Sequence, residues 1–208
     1  MADIFDEVNE DLKRDQMQKL WSRYGKYVIL AVSIVVLSVG GRQGYTSWQD
    51  RRATTAATAY HNALAADDFK TALTAELDKL SPGYAMLAKF RIAAAQALAK
   101  DYVAAEESYL ALSTDPAVKQ LYQQAAILLS VMNAPMNRSA DELVTRLAAL
   151  ESQAGPWQAM ALEQAAGLAL RAGDRKTAVA KYTTLASLSD TPPGVRQRAN
   201  QMLKILRG

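Results

Sequence analysis

The chain has 208 residues, a formal net charge of +3, no cysteine and a single histidine. Those numbers exclude a disulfide framework, a thiol nucleophile, zinc–thiolate and iron–sulfur sites, and any two-histidine metal site. The charge is too small for this length to suggest a nucleic-acid partner, and half the residues are apolar largely because 39 of them are alanine. Alanine is the strongest intrinsic helix former and lets helices pack closely, so composition alone predicts an all-α protein.

The first 26 residues carry six carboxylates and place Ile4, Val8 and Leu12 at four-residue spacing, one stripe of a short helix. Acidic residues come early and basic ones late, the order a helix dipole favours. Residues 27–41 are then uncharged throughout. At helical rise this run covers about 22 Å, short of the roughly 30 Å hydrocarbon layer. Its flanks extend it. Trp21 and Trp48 would lie about 40 Å apart on one helix, and Tyr24 and Tyr45 about 32 Å apart, matching the two interfacial belts of a bilayer. Lys26 and Arg42 can stretch along their stems toward the headgroups, and Tyr27 stands at the first edge of the run.

The expected anchor residues are therefore Trp21, Tyr24, Lys26, Tyr27, Arg42, Tyr45 and Trp48, with the lipid bilayer as a partner. A cleaved signal peptide is the rival reading, since Ser38-Val39-Gly40 offers small residues at peptidase spacing. The long acidic segment before it is unlike a signal peptide's short basic start. Five lysines and arginines precede the span (Lys13, Arg14, Lys19, Arg23, Lys26) and three follow it (Arg42, Arg51, Arg52), which favours an N-terminus inside.

Residues 53–208 are nearly neutral, and their six prolines fall outside the apolar-periodic runs, cutting the region into helical-hairpin lengths. A pattern recurs: Asp68-Phe69-Lys70-Thr71-Ala72 with Leu73 and Leu77; Asp101-Tyr102-Val103-Ala104-Ala105 with Tyr109 and Leu112; Gly173-Asp174-Arg175-Lys176-Thr177-Ala178 with Tyr182 and Leu185. Each reads as a polar turn followed by a helix bearing a small residue and a bulky one four later, so that helices cross closely beside a filled gap. Ala72, Ala105, Tyr109, Ala178 and Tyr182 are the expected repeat-packing residues; Glu76 takes the bulky place in the first copy. Between them, a helix ending at Met132, a loop 133–138, a capping-box sequence Ser139-Ala140-Asp141-Glu142 and the stripe Leu143, Leu147, Leu150 supply a further copy.

These copies resemble tetratricopeptide-type repeats, whose period is about 34 residues. The fold class expected is all-α: an N-terminal helix continuous with one transmembrane helix, then a tetratricopeptide-like α-solenoid of helical hairpins, an ordinary helical bundle being the alternative. The expected domains are a cytoplasmic tail (1–23), a transmembrane helix (24–48) and a periplasmic repeat domain (49–208).

The layout as a whole, with L-W-S-R-Y-G-K-Y before the span, G-Y-T-S-W-Q closing it and repeats to the end, resembles the YfgM-like ancillary translocon subunits. That resemblance implies a bacterial inner-membrane protein associated with the Sec translocon and a membrane-anchored periplasmic chaperone, with unfolded secreted proteins as further partners. It implies no catalytic motif, cofactor or small-molecule substrate.

Other candidates weigh less. His61 lacks a matched carboxylate or nucleophile. Asp67-Asp68 and Glu106-Glu107 are adjacent carboxylates, which point apart and are expected to cap a terminus or face solvent. Arg196, Arg198, Lys204 and Arg207 read as a capping helix or as a contact for an acidic partner or lipid headgroup. Leu87, Phe90 and Leu98 face either a concave groove or the core. No catalytic or metal residue is expected, and no single face stands out for partner binding. The function expected is a non-enzymatic interaction protein, ancillary to the translocon; a repeat scaffold for envelope assembly or cell division is the alternative.

Overall fold

The computed structural model describes residues 21, 37–43 and 45–208. The chain divides into two compact units, Met1–Thr55 and Ala56–Gly208. In the first, Trp21 and residues 37–43 and 45–55 are helical and exposed. Tyr24, Lys26, Tyr27 and the rest of the expected transmembrane helix (24–48), except for 37–43 and 45–48, lie outside the described residues. Among the described residues no helix is long and apolar enough to cross a membrane.

The second unit is a helical repeat solenoid. It runs α1 (residues 56–64 of a helix described from 45 on), α2 (Phe69–Glu76), a 3-10 turn (Leu77–Lys79), α3 (Pro82–Leu98), α4 (Tyr102–Thr114), α5 (Gln120–Met132), α6 (Ala140–Ser152), α7 (Gln158–Arg171), α8 (Arg175–Ser187) and α9 (Pro193–Arg207). No strand occurs among the described residues. Each helix packs chiefly on its neighbours in the chain, and α5 also meets α7 as α7 meets α9, the contact pattern of stacked hairpins rather than of a closed bundle.

Local chemistry explains the boundaries. Pro82 and Pro193 occupy first-turn positions, where a missing N–H costs nothing. The second helix of three hairpins opens on an aspartate whose carboxylate accepts from the backbone N–H three residues on: Asp68 from Thr71, Asp101 from Ala104 and Asp174 from Thr177. In the two three-residue turns, 99–101 and 172–174, the residue before that aspartate is left-handed, Gly173 at φ 80° and Lys100 at φ 63°. Asp101 N–H reaches Gln96 O and Lys100 N–H reaches Ala97 O, and Asp174 and Gly173 repeat the pair on Ala169 and Leu170. This is the Schellman closure, for which glycine is the unstrained residue. Lys100→Gly should therefore stabilise the fold by about 1 kcal/mol, read as a raised thermal midpoint; an unchanged or lowered midpoint would refute the strain.

The third hairpin departs from this form. Its turn is seven residues long, 133–139. Ser139 is the N-cap of α6 but makes no side-chain capping bond. The expected capping box does not close, because Glu142 is drawn instead to Arg146 one turn along the same helix.

The core is a series of small clusters, one between each successive set of helices, rather than one oily centre. Alanines (Ala88, Ala93, Ala126, Ala161, Ala165, Ala166, Ala199) provide the fully buried close contacts. Leu128, Leu143, Leu147 and Leu168 fill one cluster, and Leu162, Tyr182, Leu185 and Leu203 the next.

Candidate interaction surface

Repeat packing is built on the N-capping aspartates. Four residues after the cap, Ala105 and Ala178 are fully buried and Ala72 is half-buried; four further on, Tyr109 and Tyr182 are buried. Burial raises both tyrosine hydroxyls above their ordinary pKa, with Glu163 adding to the effect at Tyr182. Counting from Ser139 puts Leu143 and Leu147 in those two places in α6, both buried. The 73-residue interval from Ala105 to Ala178 is thus two repeats, most of the excess lying in the turn 133–139.

Neighbouring repeats are joined by polar bonds as well as by packing. Glu106 on α4 is fully buried and is met by two arginines. Arg138, from the long turn, donates through Nε to both carboxylate oxygens (3.0 and 3.1 Å) and through Nη2 at 2.5 Å. Arg146 on α6 donates at 2.6 Å. Burial pushes the Glu106 carboxyl up, but the hydrogen bonds and charges of Arg138 and Arg146 outweigh it and hold the group below its ordinary range.

The expectation that Glu106 faces solvent beside Glu107 is overturned: Glu107 is exposed, and Glu106 points inward. The residue five after the cap is Leu73, Val144 or Val179 in the other hairpins. Aligning the repeats on their caps would have shown a carboxylate at an apolar position, with Arg138 supplied by the extra turn residues.

Other pairs serve the same end. Lys181 on α8 pairs with Glu151 on α6. Arg198 on α9 grips Glu163 on α7 with two bonds of 2.7 and 2.8 Å. Trp157 Nε1 donates to Leu121 O at 3.0 Å, linking the start of α7 to the start of α5.

The C-terminal basic stretch is largely spent on structure. Arg196 donates to Leu188 O and Ser189 O at the end of α8, and Arg207 to Thr183 Oγ1. Lys204 stays exposed, and Val195, Ala199 and Leu203 seal α9 onto the last hairpin, which is the capping-helix reading. Phe90 is core, its ring 6.1 Å from that of Tyr109, whereas Leu87 and Leu98 are exposed. His61 is exposed with its ring against Tyr60, and Asp68 is a cap. Of the expected anchor residues, Trp21, Arg42, Tyr45 and Trp48 are described. Tyr45 and Trp48 stand 6.2 Å apart, and Arg52 lies 4.2 Å over the Trp48 ring.

A groove of about 520 Å³ lies between α2, α3 and α4. Its floor is Leu77, Ile92, Ala111 and Leu112; at its rim Lys89 pairs with Asp115 at 2.7 Å and Ser108 donates to Gln96 at 2.7 Å. α2 beside it has only 8 residues, against 13 in each of α4, α6 and α8, and continues into the 3-10 turn that carries Leu77. Among the described residues, no three His, Cys, Asp or Glu side chains are grouped to hold a metal ion.

No curated protein and no solved structure is found to match the chain. Residues 18–203 match the family described as tetratricopeptide repeat-like domain. Domains of this kind mediate protein–protein interaction, which fits stacked hairpins that expose a groove. The chain belongs to the tetratricopeptide repeat-like domain family.

Proposed function

We propose that this protein is a non-enzymatic interaction protein of the bacterial inner membrane, N-terminus in the cytoplasm and repeats in the periplasm. In this reading it is ancillary to the Sec translocon and links translocation to a membrane-anchored periplasmic chaperone. The observation that carries it is the extent of the family match, which begins at residue 18 and so takes in the aromatic-bracketed apolar run together with the repeats. An anchor holds the repeat surface beside membrane complexes at high effective concentration, so that modest affinity suffices.

The test is affinity purification after crosslinking in native membranes. Enrichment of translocon subunits and a periplasmic chaperone is the expected outcome. Recovery of cell-division or envelope-assembly proteins in their place would assign the scaffold to a different complex. The intact mass of the membrane-bound chain gives an independent check, because loss of the first ~40 residues would mean a signal peptide and not an anchor.

A further inference from the structure

Between residues 37 and 66 the charged side chains are Arg42, Asp50, Arg51 and Arg52, a surplus of positive charge. The part of this stretch in the first unit, 37–43 and 45–55, is helical and exposed throughout. Leu37 and Val39 come first as exposed apolar residues, Tyr45 and Trp48 follow as exposed rings, and Arg51 and Arg52 come after them.

The rings of Tyr45 and Trp48 stand 6.2 Å apart, and the Arg52 guanidinium lies 4.2 Å from the Trp48 centroid, over the ring. Those contacts put Tyr45, Trp48 and Arg52 on one face, and Arg42 stands three residues before Tyr45, a spacing that extends the same stripe. Asp50 is two residues from both Trp48 and Arg52, which turns it to another face. Among the described residues none of these three arginines is in an ion pair.

Stacking on the indole fixes the plane of the Arg52 guanidinium and leaves its N–H fork to meet a pair of anionic oxygens. Helix side chains lean toward the N-terminus, so the Arg52 charge is carried back to the level of Trp48. Apolar residues on one side, then rings and a cation at one depth, follow the order of groups met across a bilayer surface. The surplus charge fits an anion, and the rings beyond Leu37 and Val39 fit an anion fixed in a lipid surface.

We infer that the stripe Arg42–Tyr45–Trp48–Arg52 is a seat for the phosphate of an anionic phospholipid, with Arg52 held in place by Trp48. The inference rests on the membrane-anchor reading above and adds a lipid preference to it.

The experiment uses the full chain in vesicles of equal parts phosphatidylglycerol and phosphatidylcholine, one of the two brominated on its acyl chains. Trp21→Phe and Trp157→Phe leave Trp48 as the one tryptophan, and its quenching gives the relative binding of the two lipids. A preference of about fivefold for phosphatidylglycerol is expected, the worth of one arginine at an anionic surface, and Arg52→Gln should bring it near parity. Arg51→Gln removes the same charge from a neighbouring face and should change the preference less than about twofold. Native mass spectrometry of lipids retained by the chain with its tryptophans intact should show the same loss in Arg52→Gln.

Equal quenching by both lipids would overturn the seat while leaving the anchor standing. Quenching by neither would remove the anchor and the seat together. Equal losses in Arg51→Gln and Arg52→Gln would reduce the effect to diffuse surface charge and overturn the inference. So would a preference abolished by ~10 mM inorganic phosphate at constant ionic strength, which would make the stripe a site for free anions.

Discussion

Glu106→Ala is expected to destabilise the repeat domain by about 3 kcal/mol, at the lower end of the cost of removing one partner from a buried ion pair. The carboxylate is fully buried and pairs with Arg138 and with Arg146, which it shares with Glu142; the two arginine side chains are 35% and 18% exposed. That residual access to water keeps the cost from reaching the upper end. Replacing the whole set, Glu106→Leu with Arg138→Met and Arg146→Leu, should recover most of the loss, because apolar packing then replaces a costly desolvation. Chemical denaturation of the three proteins checks this, and equal stability of Glu106→Ala and the parent would refute a buried, paired carboxylate.

The same group makes a pH prediction. The folded carboxyl lies below its ordinary value of 4.5, so the pair's contribution is fully present above that value. It is lost as pH falls from there through the folded value, because the unfolded chain takes up the proton first. The stability difference between parent and triple variant should therefore shrink or reverse in favour of the variant in acid. A difference that widens below pH 4.5 would contradict the sign.

Leu147→Ala should cost a further large amount, about 3–4 kcal/mol. Leu147 is fully buried among Leu128, Val131, Leu143, Leu150, Ala161, Ala165 and Leu168. Two of its neighbours are alanines whose methyls are fixed to the backbone, so the cavity cannot close by rotamer changes. Stability in a solenoid passes from repeat to repeat, and a central lesion should also broaden the unfolding transition by uncoupling the hairpins on either side. Leu98→Ala, at an 84% exposed position, should by contrast stay within about 0.5 kcal/mol of the parent. Paired thermal and urea melts distinguish the two, and a small effect at Leu147 would mean that the central cluster is loosely packed.

What could be read along the chain follows from short-range chemistry. Asp68, Asp101 and Asp174 announce helix starts because a capping carboxylate satisfies an N–H three residues away, within one turn. The prolines mark the breaks for the same local reason. The helix end at Met132 and the start after Ser139 stand where the periodicity puts them. The capping box at Ser139 fails, since Glu142 has a choice of partner that the four-residue motif does not contain: Arg146 lies one turn away on the same face. The early end of α2 also escapes a pattern reading. Leu73 and Leu77 continue the apolar stripe, but Leu80 turns extended and is buried, and Pro82 opens α3. The groove lined by Leu77 lies at that point.

Composition and periodicity by themselves determined that this chain is helical, that its helices come in hairpins of about 34 residues, and where the turns fall. These depend on alanine content, 3.6-residue spacing and caps, all of which act within one or two turns of chain. Only the tertiary structure decided that Glu106 is buried while Glu107 is not, and that Arg138, Arg171 and Arg198 are spent on joining repeats. The partners in those pairs stand 32 to 40 residues apart for Glu106, 33 for Arg171 and 35 for Arg198. Such meetings are set by how one hairpin stacks on the next, and stacking is a property of packed surfaces that no local pattern contains.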